Sequence, residues 1–149
     1  MKIINRKLNR EYQEVERVEA GIVLSGAEVK SVREERVKLD DAFVKIIGDE
    51  VFLVNADISP YEHANSGGYD PRRTRKLLLH KKEIIRLRTK LLGGGNLTIA
   101  PLACYNKGPF IKVEIALARG RKDIEKRKLV KHRDIERAQK REAKEYMKN

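Results

Sequence analysis

Two pairs of apolar, β-branched runs, each pair split by turn residues, constrain the fold of this chain most. Residues 43–47 (FVKII) and 51–56 (VFLVNA) flank Gly48-Asp49-Glu50, and Val, Ile and Phe dominate both arms. That is the composition of antiparallel strands joined as a hairpin. Residues 97–105 (LTIAPLACY) and 110–118 (FIKVEIALA) repeat the pattern around Asn106-Lys107-Gly108-Pro109. Pro101 inside the first run brings no ladder donor, so it marks an edge or a bulge. Residues 12–24 read as another half-buried strand, closing on Ile22-Val23-Leu24.

Helical signals are fewer. Ser25 with Glu28 three residues on fits a capping box, predicting a short helix over 26–36 with Ala27, Val29 and Val32 on one face. Ile84, Leu87 and Leu91 predict an amphipathic helix over 80–92, with Lys81, Lys82, Arg86 and Arg88 elsewhere on the wheel and Gly93-Gly94-Gly95-Asn96 ending it. Residues 59–71 are dense in turn residues. Five or six short strands with two short helices predict a mainly β protein, an OB-fold-like antiparallel β-barrel with flanking short helices, over residues 1–118. From Arg119 the texture changes. Residues 119–149 have one glycine, no proline and no clean apolar stripe, so they read as a basic C-terminal tail, disordered when free.

Charge narrows the class of partner. The chain carries 34 Lys+Arg against 22 Asp+Glu, a formal +12. The excess is clustered: residues 72–90 hold nine basic residues and one acid, and 119–149 hold 13 basic and six acidic, whereas 1–71 are net acidic. Clustering of this kind is a footprint for a polyanion. Neither basic block has a strong apolar face, which favours nucleic acid and predicts no membrane partner. No apolar run reaches the ~18 residues of a membrane span, and MKIINRKLNREY lacks the apolar stretch of a signal peptide, predicting a cytoplasmic protein.

Catalytic signatures are missing: no GxxxxGK[ST], HExxH, GxSxG or CxxC occurs. The Gly93–Gly95 run follows a helix and does not open one, which argues against a phosphate cradle. The single cysteine, Cys104, rules out an internal disulfide framework and reads as a buried structural thiol. His63, His80 and His132 have no metal-ligand spacing. No catalytic residue, metal or cofactor is predicted.

The block Arg72-Arg73-Thr74-Arg75-Lys76-Leu77-Leu78-Leu79-His80-Lys81-Lys82 is the most informative stretch. Its Arg and Lys side chains suit phosphates, His80 suits an unstacked base, and the leucines suit a core. Nine cations in nineteen residues repel one another unless something anionic meets them. Glu19 enters an apolar strand, either as a sheet-edge carboxylate paired with an Arg or as an acceptor for a base amino group. A basic RNA chaperone, or an RNA-processing enzyme pairing His80 with Glu62, would share this composition.

Six motifs occur in order: Glu19-Ala20-Gly21-Ile22-Val23-Leu24, Gly26-Ala27-Glu28-Val29-Lys30-Ser31, Ile58-Ser59-Pro60-Tyr61-Glu62, Asp70-Pro71, Arg75-Lys76-Leu77-Leu78-Leu79-His80 and Ala118-Arg119-Gly120-Arg121-Lys122. Together they resemble the SmpB family, the SsrA-binding proteins of bacterial trans-translation. The similarity runs from about Asn5 through Lys128. It implies binding to the tRNA-like domain of transfer-messenger RNA and its delivery to stalled 70S ribosomes, with elongation factor Tu as an indirect partner and no catalysis. It also implies a tail that becomes helical in the mRNA channel, by the 16S rRNA decoding centre. Carried over residue by residue, the RNA-facing acid is Glu19, the motif pair near the second helix is Leu78 and His80, and Tyr12 is a surface contact. Arg72, Arg73, Arg75, Lys76, Lys81 and Lys82 would supply the cations. Arg119, Gly120, Arg121, Lys122, Lys126 and Arg127 match the ribosome-facing motif. Ile124 and Glu125 depart from the family's aromatic or His followed by Asp.

Overall fold

The structure, a computed structural model, describes residues 1–64, 67–120, 133 and 135–141. Among the described residues up to Gly120, nine strands and three helices follow one another: β1 (Lys2–Ile4), α1 (Arg6–Glu11), β2 (Tyr12–Ile22), α2 (Gly26–Arg33), β3 (Val37–Lys38), β4 (Phe43–Ile47), β5 (Glu50–Val54), β6 (Asp57–Ile58), β7 (Arg75–Leu78), α3 (Lys81–Leu92), β8 (Leu97–Lys107) and β9 (Phe110–Gly120). Six of the strands close a ring. β8 pairs with β4, β4 with β5, β5 with β7, β7 with β2, β2 with β9, and β9 returns to β8, every pairing antiparallel. This is the expected mainly β, antiparallel barrel with short helices. Closure is thin at two seams, where β4 meets β8 at Val44↔Ile99 alone and β7 meets β2 only at Gly21 and Ile22.

Both hairpins form, with tighter turns than the sequence suggests. Ile47 faces Glu50 across Gly48-Asp49, and Lys107 faces Phe110 across Gly108-Pro109. Gly48 and Gly108 lie at φ 61° and 60°, the conformation a two-residue hairpin turn asks of its first central residue. Pro101 stands at a register shift in β8, between Pro101 and Ala103, so the bulge is real. It divides the β8 edge: β4 pairs before it, and β1 pairs after it through Ile3↔Cys104.

Strand alternation sends Ile111, Val113, Ile115 and Leu117 of β9 inward, against Val51 and Leu53 of β5 and Leu77 of β7. Val32 of α2 and Leu87 of α3 pack on the same cluster. Each such fully buried side chain contributes roughly 1.5–3 kcal/mol. Cys104 is buried as expected, and burial pushes its thiol up to about 12, leaving it inert.

Two boundaries differ from the sequence reading. α2 stops at Arg33, not at 36, because Glu35 takes φ 62° and the Arg36 N–H turns back to Ser31 O at 3.0 Å. β9 continues through Gly120, two residues past the expected barrel end, because Arg119 and Gly120 pair with Gln13 and Tyr12 of β2. The basic block also contains a strand, β7, at residues to which the sequence reading assigned no element. β1 and α1 carry no sequence signal at all. α1 starts at Asn5, whose Oδ1 accepts from Leu8 N–H at 3.2 Å while its Nδ2 donates to Leu39 O and Pro101 O.

Candidate nucleic-acid interface

β7 explains how the basic block is used. Its period-two burial turns Arg75 and Leu77 inward and Lys76 and Leu78 outward. The leucine run is therefore divided: Leu77 is core, Leu79 is half-buried against it, and Leu78 is 53 % exposed. Gly21 of β2 faces Leu78 in register, and a Cβ there would come within 3.2 Å of Leu78 Cβ. Glycine at this position lets the two strands carry Leu78 at the surface without a clash.

Around Leu78 lies a shallow depression of about 340 Å³, lined by Glu19, Gly21, Leu78, Leu79, His80, Glu83 and Lys112. Glu19, Leu78 and His80, up to 61 residues apart in sequence, share this one surface. Next to Glu19 only one edge of β2 is paired, since β7 joins two residues later. The carboxylate does have a partner there, but it is not the arginine expected. The Tyr105 hydroxyl donates to Oε2, and Lys107 Nζ donates to Oε1 at 3.0 Å. The Tyr105 bond, then that of Lys107, holds the Glu19 carboxyl below the usual carboxylate range. Burial, then the neighbouring Glu19 charge, raises the Tyr105 phenol, so the hydroxyl stays a donor.

His80 is the N-cap of α3, with its backbone N–H donating to Glu83 Oε1 at 3.1 Å while its imidazole makes no capping bond. Lys81 and Lys82 follow in the first turn of α3, exposed and with no carboxylate partner among the described residues. Cations at a helix N-terminus oppose the macrodipole, and only Glu83 offsets them. A ligand phosphate would resolve that conflict.

The remaining cations behave differently from the expectation of an unpaired, mutually repelling block. Seven of the nine in 72–90 have a carboxylate of their own chain within 4.0 Å: Arg72 with Asp57, Arg73 and Arg75 with Glu28, Lys76 with Glu50, Arg86 and Lys90 with Glu16, and Arg88 with Asp49. Every one of these acids comes from the acidic first half. Six of the seven cations remain partly exposed, and apart from Arg73, whose partner Glu28 is buried, their pairs are worth only about 0–1 kcal/mol, weak enough for phosphate to displace.

Arg75 is the correction among the expected RNA contacts. It is 0 % exposed, and its guanidinium is fully engaged by Glu28 Oε2 at 2.7 Å, Ala56 O at 2.8 Å, Pro71 O at 3.0 Å, Arg73 O at 3.0 Å and Tyr69 Oη at 3.1 Å. No phosphate reaches it. Glu28 is equally buried, completing the capping box with Ser25 while accepting from Arg73 and Arg75. Burial would raise its carboxyl, yet bonds from Arg73, the Ser25 N–H and Arg75 hold it at about 2. Three sequence motifs, around Glu28, Asp70-Pro71 and Arg75, thus form a single buried knot.

Tyr12 lies seven residues from Glu19 along β2, roughly 23 Å at ~3.3 Å per residue, and so outside the depression. It packs near Leu8 and Ala118 at the strand end that also carries Arg119 and Gly120. Arg121, Lys122, Ile124, Lys126 and Arg127 lie outside the described residues, while Arg133 and residues 135–141 are helical and exposed. Lys107, Lys112 and Tyr105 were missed by sequence reasoning. Lys112 was legible, since it falls between the inward Ile111 and Val113 of an alternating run.

A small closed barrel with a mixed-charge depression beside exposed, unpaired Lys81 and Lys82 defines a polyanion-binding protein of the OB-like class. The SmpB protein family model matches residues 2–145, and the chain belongs to that family. An SsrA-binding protein of Streptococcus pyogenes serotype M12 (strain MGAS2096) is 49 % identical over 142 residues, covering 95 % of this chain and 91 % of the relative. The SsrA-binding protein of serotype M5 (strain Manfredo) is similar to the same extent. A solved chain described under "tmRNA-SmpB: a journey to the center of the bacterial ribosome" superposes with a TM-score of 0.69 at 41 % identity, covering 82 % of this chain and 85 % of that one.

Proposed function

We propose that this protein binds the tRNA-like domain of transfer-messenger RNA and delivers it to stalled ribosomes for trans-translation. The convergence of Glu19, Leu78 and His80 on one depression, beside the uncompensated Lys81 and Lys82, carries this reading. Lys81, Lys82 and Lys112 meet phosphates, Leu78 and His80 meet an unstacked nucleotide, and Glu19 accepts from a base amino group. Arg72 and Lys76 join by exchanging a carboxylate for a phosphate, while Arg73 stays bound to the buried Glu28 and offers only the exposed part of its guanidinium.

The protein acts as a binding factor and catalyses nothing itself. His80 and Glu62, the pair an RNA-cleaving rival would use, do not meet: Glu62 lies 3.6 Å from Arg36, and His80 is tied through its backbone to Glu83. Residues 1–120 form the RNA-binding unit, since Arg119 and Gly120 still pair with β2. The segment that follows, with Arg119 and Gly120 at its root, is the ribosome-facing tail, helical in the mRNA channel near the decoding centre of 16S rRNA, with elongation factor Tu as an indirect partner and the cytoplasm as the site of action. No described helix is long and apolar enough to cross a membrane.

Removing residues 121–149 tests this division: binding to transfer-messenger RNA should persist while peptide tagging on stalled ribosomes stops. Affinity of the full chain for transfer-messenger RNA no better than for random structured RNA, at matched salt, would sink the proposal and leave a general RNA chaperone.

A further inference from the structure

The sequence offers few aromatics, and they are scattered, which argues against a stacking platform of the sheet-borne kind. The fold nevertheless places one of them conspicuously. Phe110, the first residue of β9, is 65 % exposed at the tip of the β8–β9 hairpin. Its neighbour Ile111 is buried, so the strand beneath the ring is anchored in the core. The turn itself is fixed from both sides. Gly108 and Pro109 make it tight, and Arg33 of α2 donates to Pro109 O at 3.3 Å.

Three cations frame this ring. Lys112 Nζ stands 5.9 Å from its centroid, Lys107 faces it in register, and Arg33 holds the turn. Lys107 also bonds Glu19 at 3.0 Å, and Lys112 lines the Glu19 depression, so the tip is continuous with that site. Phe43, the other exposed phenylalanine, is less exposed at 43 % and has no cation over its ring among the described residues, and Leu92, Ile4, Ile47 and Leu78 are aliphatic and have no π face. An aromatic ring on a rigid support among cations matches the two faces of a nucleotide. The base stacks on the ring, and the phosphates on either side of it meet the ammonium and guanidinium groups.

We propose that Phe110 is a nucleotide-stacking subsite, taking one unpaired base of the bound RNA beside the Glu19 depression. The inference rests on the RNA-binding reading above and extends it by one nucleotide along the surface. An apolar protein partner fits less well, because Arg33, Lys107 and Lys112 would lose hydration against it without an anion in return.

Full-length wild type and the variants Phe110→Ala, Phe110→Leu and Phe110→Trp would be titrated with a transcript of the transfer-messenger RNA tRNA-like domain at several salt concentrations. Stacking predicts that Ala and Leu each weaken binding about tenfold, and that Trp binds at least as well as Phe. The slope of log affinity against log salt should stay that of wild type, since no phosphate contact is removed. Thermal unfolding should be unchanged for a side chain this exposed. The subsite is overturned if Leu binds like wild type, because a plain apolar contact then suffices. It is equally overturned if Trp loses as much as Ala, or if RNA affinity is intact and only ribosome association falls. Wild-type protein that fails to prefer this RNA would instead strike at the parent reading.

Discussion

The Arg75 Nε–H donates to Glu28 Oε2 at 2.7 Å, with both side chains withdrawn from solvent, the former to 0 % and the latter to 1 % exposure. The pair ties α2 to β7 across 47 residues and positions the strand that presents Leu78. Removing Arg75 leaves the buried Glu28 carboxylate with only the partly exposed Arg73 as counter-charge and strips the Ala56 and Pro71 carbonyls of their donor. Arg75→Met should therefore cost about 3–5 kcal/mol in urea unfolding. Arg72→Ala, which removes an exposed pair with Asp57, should cost under about 1 kcal/mol. Equal losses in the two variants would contradict the buried knot.

Acid should act through the same carboxylate. Glu28 is held at about 2 in the fold and returns to an ordinary value near 4.5 when unfolded. A lowered folded pKa contributes stability above the unfolded value, and that contribution is lost as pH falls from about 4.5 towards 2. The size is about 3 kcal/mol at neutral pH. Unfolding free energy measured from pH 6 down to 2 should fall less steeply in Glu28→Gln than in wild type. Parallel curves would remove Glu28 as the source.

Glu19 depends on Tyr105 for its low pKa. Tyr105→Phe removes the leading bond, so the Glu19 carboxyl should titrate at higher pH in an NMR titration, with little loss of stability for a partly exposed pair. Glu19→Gln should weaken binding to the tRNA-like domain about tenfold, the size expected for one hydrogen bond to a charged group. An unshifted Glu19 resonance in Tyr105→Phe would show that the hydroxyl does not set its ionisation.

Phosphate contacts can be counted by salt. Lys81→Ala, Lys82→Ala and Lys112→Ala should each flatten the slope of log affinity against log salt by about 0.7–0.9. Arg86→Ala, whose guanidinium is engaged by Glu16, should leave the slope nearly unchanged. A reversed order would mean that the RNA lies over the outer face of α3.

Gly21→Val should press on Leu78, since the first added carbon already falls 3.2 Å from Leu78 Cβ. Affinity for RNA should fall severalfold. Thermal stability should change little, because the better strand propensity of valine offsets a displacement that Leu78, on the surface, can absorb. A large stability loss with intact affinity would place Leu78 outside the binding face.

The hairpins and α3 were legible because their apolar residues repeat at two and at 3.6 positions, a local signal that packing did not overrule. β7 was not, because its inward positions hold one arginine and one leucine, and hydrophobicity cannot mark a buried Arg75. Its burial depends on Glu28, distant in sequence, and on carbonyls of Ala56 and Pro71, which no local window contains. α1 was hidden for a related reason: Asn5 caps it while also bonding Leu39 and Pro101. In the depression, Glu19 and His80 stood out by residue type and Leu78 by motif resemblance, whereas Tyr105 and Lys107 emerged only once β8 was laid beside β9. The expectation of a repelling cationic block failed because it counted charges along the chain and not across it.

The pairing of those cations with Asp49, Glu50, Asp57, Glu16 and Glu28 makes the protein its own competitor. Each of these paired cations is already answered by a tethered carboxylate whose local concentration never dilutes. A polyanion that touches only one or two of these positions gains little by evicting a resident acid, so stray RNA is discouraged. A folded RNA whose phosphates met the unpaired lysines first would be held long enough to trade places with several acids together. Discrimination by shape would then reside in the protein's own internal salt, before any base is read.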